Sequence, residues 1–203
     1  METVGIFLVE IFKNKEVVLL IIGALISLIS TLIGFFAQTF FTYFLSNMGK
    51  VHIYIKSVYS KSTKKAWGFS ESWKGMVFDV PLWIELHNTK STKQIVRNVN
   101  LSLYNKKRYI CNMIQVTHYD TDDGKECFGN NGSYSFLLGG DEIKRFDLEF
   151  ILLKKDFKGE TFDEVRLSYY DTKDKHKEIT IFELDSAWKI KNNNIDEDWR
   201  KLV

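Results

Sequence analysis

From Val17 to Leu45 the chain carries no charged side chain, and this run constrains the architecture before anything else does. The 29 residues from 17 to 45 would span about 43 Å as a helix at ~1.5 Å per residue, against a hydrocarbon core of about 30 Å. The excess implies tilt, or a helix that protrudes from the bilayer. A cleaved signal fits poorly, because such apolar cores run about 7–15 residues before a small-residue cleavage site. This run instead ends in "FFTYFLSNMG", with Phe and Tyr where an interfacial aromatic belt lies. Residues 17–45 are therefore expected to form a retained transmembrane helix. Around it lie an N-terminal flank (1–16), a β-rich soluble domain (50–184) and a C-terminal tail (185–203).

Lipid asks only for hydrocarbon, yet the run contains Gly23, Ser27, Ser30, Thr31, Gly34, Ala37 and Gln38. At ~100° per residue these fall within about a third of the helix circumference, and Leu25, Leu28, Ile29, Leu32, Ile33, Phe36 and Phe40 fill the rest. Small side chains let helices approach closely, and Ser, Thr or Gln can hydrogen-bond across the contact at ~0.6 kcal/mol each. The spacing is also that of a coiled-coil seam. The stripe is expected to be a helix–helix interface, with a copy of itself or with another membrane subunit. The competing explanation is that Ser and Thr bond their own backbone carbonyls in a lipid-facing helix.

In the flank, Ile6, Phe7, Val9 and Phe12 lie among Glu2, Glu10, Lys13 and Lys15, which suits an interfacial helix or the start of the spanning one. Beyond the run, Lys50, Lys56, Lys61, Lys64 and Lys65 follow with no acid before Glu71. Positive flanks stay in the cytoplasm, so the soluble domain is expected on the cytoplasmic side of a cell membrane. Cys111 and Cys127 fit either compartment, as reduced thiols or as one disulfide. The excess of Lys over Arg, with plentiful Asn and Ile, reads as an AT-rich bacterial coding bias.

After the span the hydrophobic period changes to two. Val51, Ile53 and Ile55 alternate with His52, Tyr54 and Lys56; Leu82, Ile84 and Leu86 with Trp83, Glu85 and His87; Val99, Leu101 and Leu103 with polar neighbours. "YICNMIQVTHY" reads as a further strand closed by the turn chemistry of "DTDDG", and "SYSFLL" as a short one. Phe146, Leu148, Phe150 and Leu152 against Arg145, Asp147 and Glu149 make the clearest alternation. "DEVRLSYYD" and "KEITIFEL" form a last hairpin across "TKDKHK". Seven or eight strands without convincing helices between them point to an antiparallel β-sandwich. From about residue 76 to 184 the order of signals, "VPLWIELHN" and then "LLGGDEIKRFDLEF", resembles the layout of bacterial immunoglobulin-like domains. The resemblance implies a fold and transfers no site. Trp83 precedes both cysteines, unlike the Trp between paired cysteines of antibody domains. The tail, with Trp188 and Trp199, either packs back as a short helix or extends freely.

A net charge of +2 gives no reason to expect a nucleic-acid partner. The phosphate-loop patterns are absent, and His52, His87, His118 and His176 are scattered without a metal-binding spacing. In "YDTDDGKE", Asp120, Asp122, Asp123 and Glu126 offer oxygen ligands, but Gly124 falls at the fifth position where a calcium loop needs it at the sixth. Cys111 sits on a strand where a small hydrophobe is the usual role. No catalytic residue, metal or cofactor is therefore expected, and the chain reads as non-enzymatic.

Two binding features remain. Lys61, Lys64 and Lys65 precede Trp67 and Trp73, a combination that suits contact with a membrane surface, or aromatics that cover one open end of the core beside solvated lysines. The outward side chains Asn98, Asn100, Ser102 and Tyr104, with Arg166, Ser168 and Tyr170, suit recognition of a protein or small ligand. The expectation is a single-pass membrane protein whose tethered sandwich acts as a recognition, sensor or effector module and oligomerises through its helix. A part in bacterial defence is compatible with that architecture. The alternatives are a surface-displayed binding or adhesion module, and a structural accessory subunit of a membrane complex.

Overall fold

The computed structural model describes residues 14–122, 124–159, 161–191 and 193–203, in two compact units divided between Asn47 and Met48. The flank expected to be interfacial, with Ile6, Phe7, Val9 and Phe12, lies outside the described residues.

The first unit is α1 (Lys15–Asn47), with no buried side chain. Asn14 caps it: its carbonyl accepts the Val18 N–H at 3.1 Å and its Oδ1 accepts the Glu16 N–H at 3.1 Å. Glu16 adds an acid to the first turn, where the helix dipole favours one. The 33 residues reach about 50 Å at ~1.5 Å per residue. By length and composition α1 can cross a membrane, a test that a signal sequence near an N-terminus also passes.

The second unit is built from antiparallel strands. In chain order these are β1 (Val51–Ser57), β2 (Gly68–Ser72), β3 (Gly75–Asn88), β4 (Gln94–Asn105), β5 (Arg108–Asn112), β6 (Ile114–Gln115) and β7 (His118–Thr121). They continue as β8 (Gly124–Cys127), β9 (Phe136–Leu138), β10 (Ile143–Leu153), β11 (Glu164–Tyr170), β12 (His176–Glu183) and β13 (Arg200–Lys201). One sheet has the order β13-β1-β3-β10-β6, with β2 on β3; another has β12-β11-β4-β5, with β9 on β4; β7 and β8 form a ribbon. Ile53, Ile55, Leu82, Ile84, Leu86, Leu148 and Phe150 from the first sheet share one core with Val99, Leu101, Leu103, Val165 and Leu167 from the second. None is more than 1% exposed, and each such side chain contributes roughly 1.5–3 kcal/mol by burial.

The described residues thus hold 13 strands in three sheets, where seven or eight were expected. The difference lies in short pieces. "YICNMIQVTHY" is not one strand but three, because the chain changes sheets inside it: β5 pairs with β4, and β6 pairs with β10. The crossing is at Met113, buried, with its N–H on the Leu101 carbonyl at 2.8 Å. The segment between β1 and β3, expected as a loop, contains β2 and turns tightly at Trp73–Lys74.

The tail packs back, and it does so as irregular chain ending in a strand, not as a helix. β13 pairs with β1, covering an edge that would otherwise offer free backbone groups. Asp196 fixes this cover: its Oδ2 accepts the Ser57 N–H at 2.8 Å and the Arg200 Nε–H at 3.2 Å, while its own N–H reaches Ser57 Oγ at 2.9 Å. Asp196→Ala leaves a strand N–H and a guanidinium without their acceptor. It is expected to cost about 1–3 kcal/mol, measured by urea unfolding of the full chain in detergent micelles with tryptophan fluorescence as the signal.

Candidate functional site

Alternation along β3 and β10 turns Asp79, Pro81 and Trp83, with Arg145, Asp147 and Glu149, away from the shared core. The register sets Asp147 opposite Trp83, Glu149 opposite Pro81 and Ile151 opposite Asp79. An outward strand face is ordinarily solvated. Here Asp79 is only 7% exposed and Glu149 only 4%.

The cover is the segment 58–67, a strap from β1 to β2. It closes on itself through Ser60 N–H to the Lys65 carbonyl, 2.8 Å, and Lys64 N–H to the Ser60 carbonyl, 2.9 Å. Lys64 is held at a φ of +56°. The strap's hydroxyls point at the acids: Ser60 Oγ donates to Glu149 Oε1 at 3.1 Å and Ser62 Oγ to the same oxygen at 3.3 Å. Thr63 hydrogen-bonds the Asp79 carboxyl. Lys61 bridges outward acids, its Nζ lying 2.5 Å from Glu126 Oε1 and 2.6 Å from Asp147 Oδ2. Tyr119 donates its hydroxyl to the other oxygen of Glu126. Below, the buried Tyr134 hydroxyl accepts the Glu149 N–H at 3.1 Å.

Two buried oxygens are left out of this network, Asp79 Oδ1 and Glu149 Oε2. Burial, reinforced by the Glu149 charge, pushes the Asp79 carboxyl up to about 7. Burial raises Glu149 as well, against the hydroxyls of Ser60 and Ser62 and the Lys61 ammonium, which favour its charge. Burial works against the Lys61 ammonium, but Asp147 and Glu126 outweigh it and carry its pKa up to about 12. Two cavities flank the strap. One, of about 450 Å³, is lined by Tyr59, Trp67, Phe69 and Ile190 together with Asp79. The other, of about 390 Å³, is lined by Tyr59, Pro81, Trp83, Phe128 and Ile195 together with Glu149.

The five residues expected at a membrane surface do not form one surface. Lys61 is committed to Glu126 and Asp147. Lys64 and Lys65 are exposed on the strap. Trp67 stacks on Phe182, centroids 4.0 Å apart, and donates its indole N–H to the Asn194 carbonyl at 3.2 Å. Trp73 is 90% exposed at the β2–β3 turn, with Lys74 Nζ 4.5 Å from its ring centroid. That turn lies at the far end of β3 from Asn88, the partner of Val51, across 14 residues of strand or about 46 Å at ~3.3 Å per residue.

The polar face expected on β4 and β11 is partly closed: Asn98 is exposed and Asn100, Arg166 and Tyr170 are half-buried. Ser102, Tyr104 and Ser168 are buried, with Ser102 Oγ on Ser168 Oγ at 3.0 Å. The Arg166 guanidinium lies over the Tyr104 ring at 3.8 Å, and Tyr104 donates to Glu178 at 2.5 Å. On α1, Gly23, Ser27, Ser30, Thr31, Gly34, Ala37 and Gln38 are all exposed. Thr31 Oγ1 donates to the Ser27 carbonyl at 2.8 Å, so that hydroxyl is satisfied within the helix.

Cys111 and Cys127 are free thiols, and burial pushes Cys111 up, the opposite of what an activated nucleophile needs. His52 and His87 meet as cross-strand partners, ring centroids 6.0 Å apart. Among the described residues no three or more His, Cys, Asp and Glu side chains are grouped to hold a metal ion. "YDTDDGKE" forms the β7–β8 hairpin; Asp123 lies outside the described residues, and Glu126 is engaged by Lys61.

Sequence reasoning missed Asp79 and Glu149. The available signal was a run of hydroxyls, "SKST", in a loop adjoining a strand with outward acids, overshadowed by the lysines and tryptophans around it. Compared with known proteins, the chain matches no family model and no curated protein.

Because Asp79 binds its proton more tightly folded than unfolded, its ionisation is a cost to the fold. Stability is lost as pH rises from about 3.8 through about 7. Asp79→Asn is therefore expected to stabilise the fold at pH 8 by a few kcal/mol, at ~1.4 kcal/mol per pKa unit, seen as a higher melting temperature there and an unchanged one near pH 4. Thermal unfolding across pH checks this.

Proposed function

We propose that the chain is a non-enzymatic single-pass membrane protein whose β unit is a recognition module, acting as a sensor or effector beside the bilayer and associating through α1. The observation that carries this reading is an apolar helix of 33 residues with no buried side chain, directly ahead of a unit with a complete core of its own. A surface of that kind is stable in hydrocarbon and costly in water.

An immunoglobulin-like assignment is supported by strand order. β1-β3-β10-β6 against β12-β11-β4 follows the A-B-E-D and G-F-C arrangement of constant-type domains. A cytoplasmic orientation is supported by the lysines that follow α1 and by two cysteines present as free thiols. Helix association is supported by Gly23 and Gly34. Each costs about 1 kcal/mol relative to Ala in a helix, yet a Cβ at either would meet nothing within 4 Å in this chain. Where β1 begins, the unit also exposes Ile95 and its cross-strand partner Leu137, with Lys144 Nζ 3.4 Å from the Leu137 carbonyl. Aliphatic and cationic groups together suit an anionic lipid surface better than the dispersed Lys61, Trp67 and Trp73 do. The strap is the best candidate for recognition, since it combines cavities with buried acids whose oxygens lack partners.

Membrane pellets resistant to carbonate, with the β unit protected from protease in intact cells and cleaved in opened ones, are the expected result. Cleavage in intact cells identifies surface display instead. In a background with Cys111 and Cys127 replaced by Ser, single cysteines at Gly23, Ser27 or Gly34 should crosslink several-fold more than at Leu25 or Phe36. Equal yields at all five positions would leave the stripe without a role in association.

A further inference from the structure

We propose that Asp79 and Glu149 form a proton-binding site that governs the strap: while the pair holds a proton the strap is shut, and as both acids ionise the segment 59–65 lifts and admits water. This regulation goes beyond recognition and holds whatever the β unit binds.

The two acids are diagonal neighbours across one ladder, Asp79 opposite Ile151 and Glu149 opposite Pro81, close enough for like charges to repel. The strap serves one oxygen of each: Ser60 and Ser62 donate to Glu149 Oε1, and Thr63 to the Asp79 carboxyl. The other oxygens, Glu149 Oε2 and Asp79 Oδ1, have no donor and are shut off from solvent and from the cavities beside them. A neutral carboxyl is tolerated in such a place far better than a carboxylate, whose bare oxygen demands an answer. Only water can supply it, and water reaches these atoms only once the strap has lifted. Ionisation and opening are therefore one linked equilibrium.

The surrounding charges do not supply that answer. Asp79 faces Glu149 from β10, Glu71 from β2, Tyr59 and Lys65 from the strap, and Lys191 from the tail. Glu149 faces Asp79 from β3, Lys56 from β1, Lys61 from the strap, Tyr119 from β7, Glu126 from β8 and Tyr134 from the chain before β9, with Asp147 beside it on β10. Lys61 is shared between Glu126 and Asp147, Lys56 Nζ is taken by the Glu197 carbonyl at 2.5 Å, Lys191 lies 3.7 Å from Asp185, and Lys65 is exposed. Of the outer cations, Arg145 rests over Trp83 and Lys64 acts on Glu126. None donates to either unserved oxygen. Lys61 favours the Glu149 charge through space, and burial still outweighs it.

Burial, with the Glu149 charge, carries Asp79 from 3.8 up to about 7 in the shut state, and burial raises Glu149 also. The shut strap thus binds the proton more tightly than the open one. Closure is fully supported below about pH 3.8, weakens as pH rises, and has lost this support above about 7. The tie of Lys61 to Glu126 does not change across the upper part of that range, because the ammonium is carried up to about 12 and the carboxyl is held below the usual carboxylate range. The ends of the strap stay anchored, Val58 by its N–H on the Pro81 carbonyl at 3.3 Å and Trp67 by its stacking on Phe182. What moves is held by the hydroxyls of Ser60, Ser62 and Thr63 and by Lys61, and none of these ties is a rung of the β3–β10 ladder.

The test uses the full chain in phosphatidylcholine nanodiscs, cut briefly with trypsin at pH 6 and pH 8, with mass spectrometry reading each site. Cutting after Lys61, Lys64 and Lys65 is divided by that of a free peptide of residues 58–67 at the same pH, which gives the fraction open. That fraction is expected to rise about ten-fold from pH 6 to pH 8, as a pKa of 3.8 open and about 7 shut requires, with Arg145 in β10 and Arg166 in β11 uncut. Asp79→Asn should abolish most of the rise. Glu149→Gln, which removes the charge that repels Asp79 and keeps the shape, should diminish it, so the test stands if one variant fails to fold. Equal fractions at the two pH values overturn the proposal, as does an undiminished rise in the variants. So do cuts at Arg145 and Arg166 that keep pace with those in the strap, since the strap then leaves only with the whole fold.

Discussion

Water does not accept a bare apolar cylinder, and every side chain of α1 is outside any protein core. At about 25 cal/mol per Å² of apolar surface, a helix of this length left in water would outweigh the marginal stability of a small domain. The hydrocarbon of a bilayer removes that penalty without any help from the rest of the chain. The β unit closes its own core, its own edges and its own outer faces.

It does so with polypeptide that is not part of either main sheet. The tail lies along β1 and ends in β13, so the edge strand nearest the apolar helix in sequence is paired. The strap lies over β3 and β10 and converts a face that alternation makes polar into one that is buried. Burying acids is costly unless each oxygen is answered. The strap answers Glu149 Oε1 twice and Asp79 through Thr63, while Glu149 Oε2 and Asp79 Oδ1 stay unmet. A cover that only served stability would do better with apolar side chains beneath it.

The long strands were legible because their apolar residues keep a period of two through the core: Ile53 and Ile55 in β1, Leu82, Ile84 and Leu86 in β3, Leu148, Phe150 and Leu152 in β10. β6, β9 and β13, at two or three residues each, are too short for any period to register. The change of sheet at Met113 depends on which carbonyl its N–H finds, and no local pattern encodes that. Alternation correctly turned Glu149 outward, yet its burial depends on Ser60, 89 residues away. Trp67 could, from sequence, either face a membrane or cover an open end of the core, and only the long-range contacts to Phe182 and Asn194 show that it packs. The small-residue stripe of α1 is plain in the sequence, and the fold adds that among the described residues nothing lies within 4 Å of a Cβ at Gly23 or Gly34.

The cavity beside Glu149 has a floor and a roof of different mechanical character. Its floor belongs to the β3–β10 ladder, eleven matched residue pairs long and stiff. Its roof comes from the strap and from Ile195 of the tail, which are tied to each other by Trp67 and Asn193 through the indole N–H, at 3.2 Å, and one side-chain amide, at 2.9 Å. The roof is also held by main chain, Val58 N–H on the Pro81 carbonyl and Asp196 N–H on the Ser57 carbonyl, both at 3.3 Å, and neither bond is a rung of that ladder. Cover and floor are therefore held by separate sets of bonds, and the pairing of the floor does not depend on the cover.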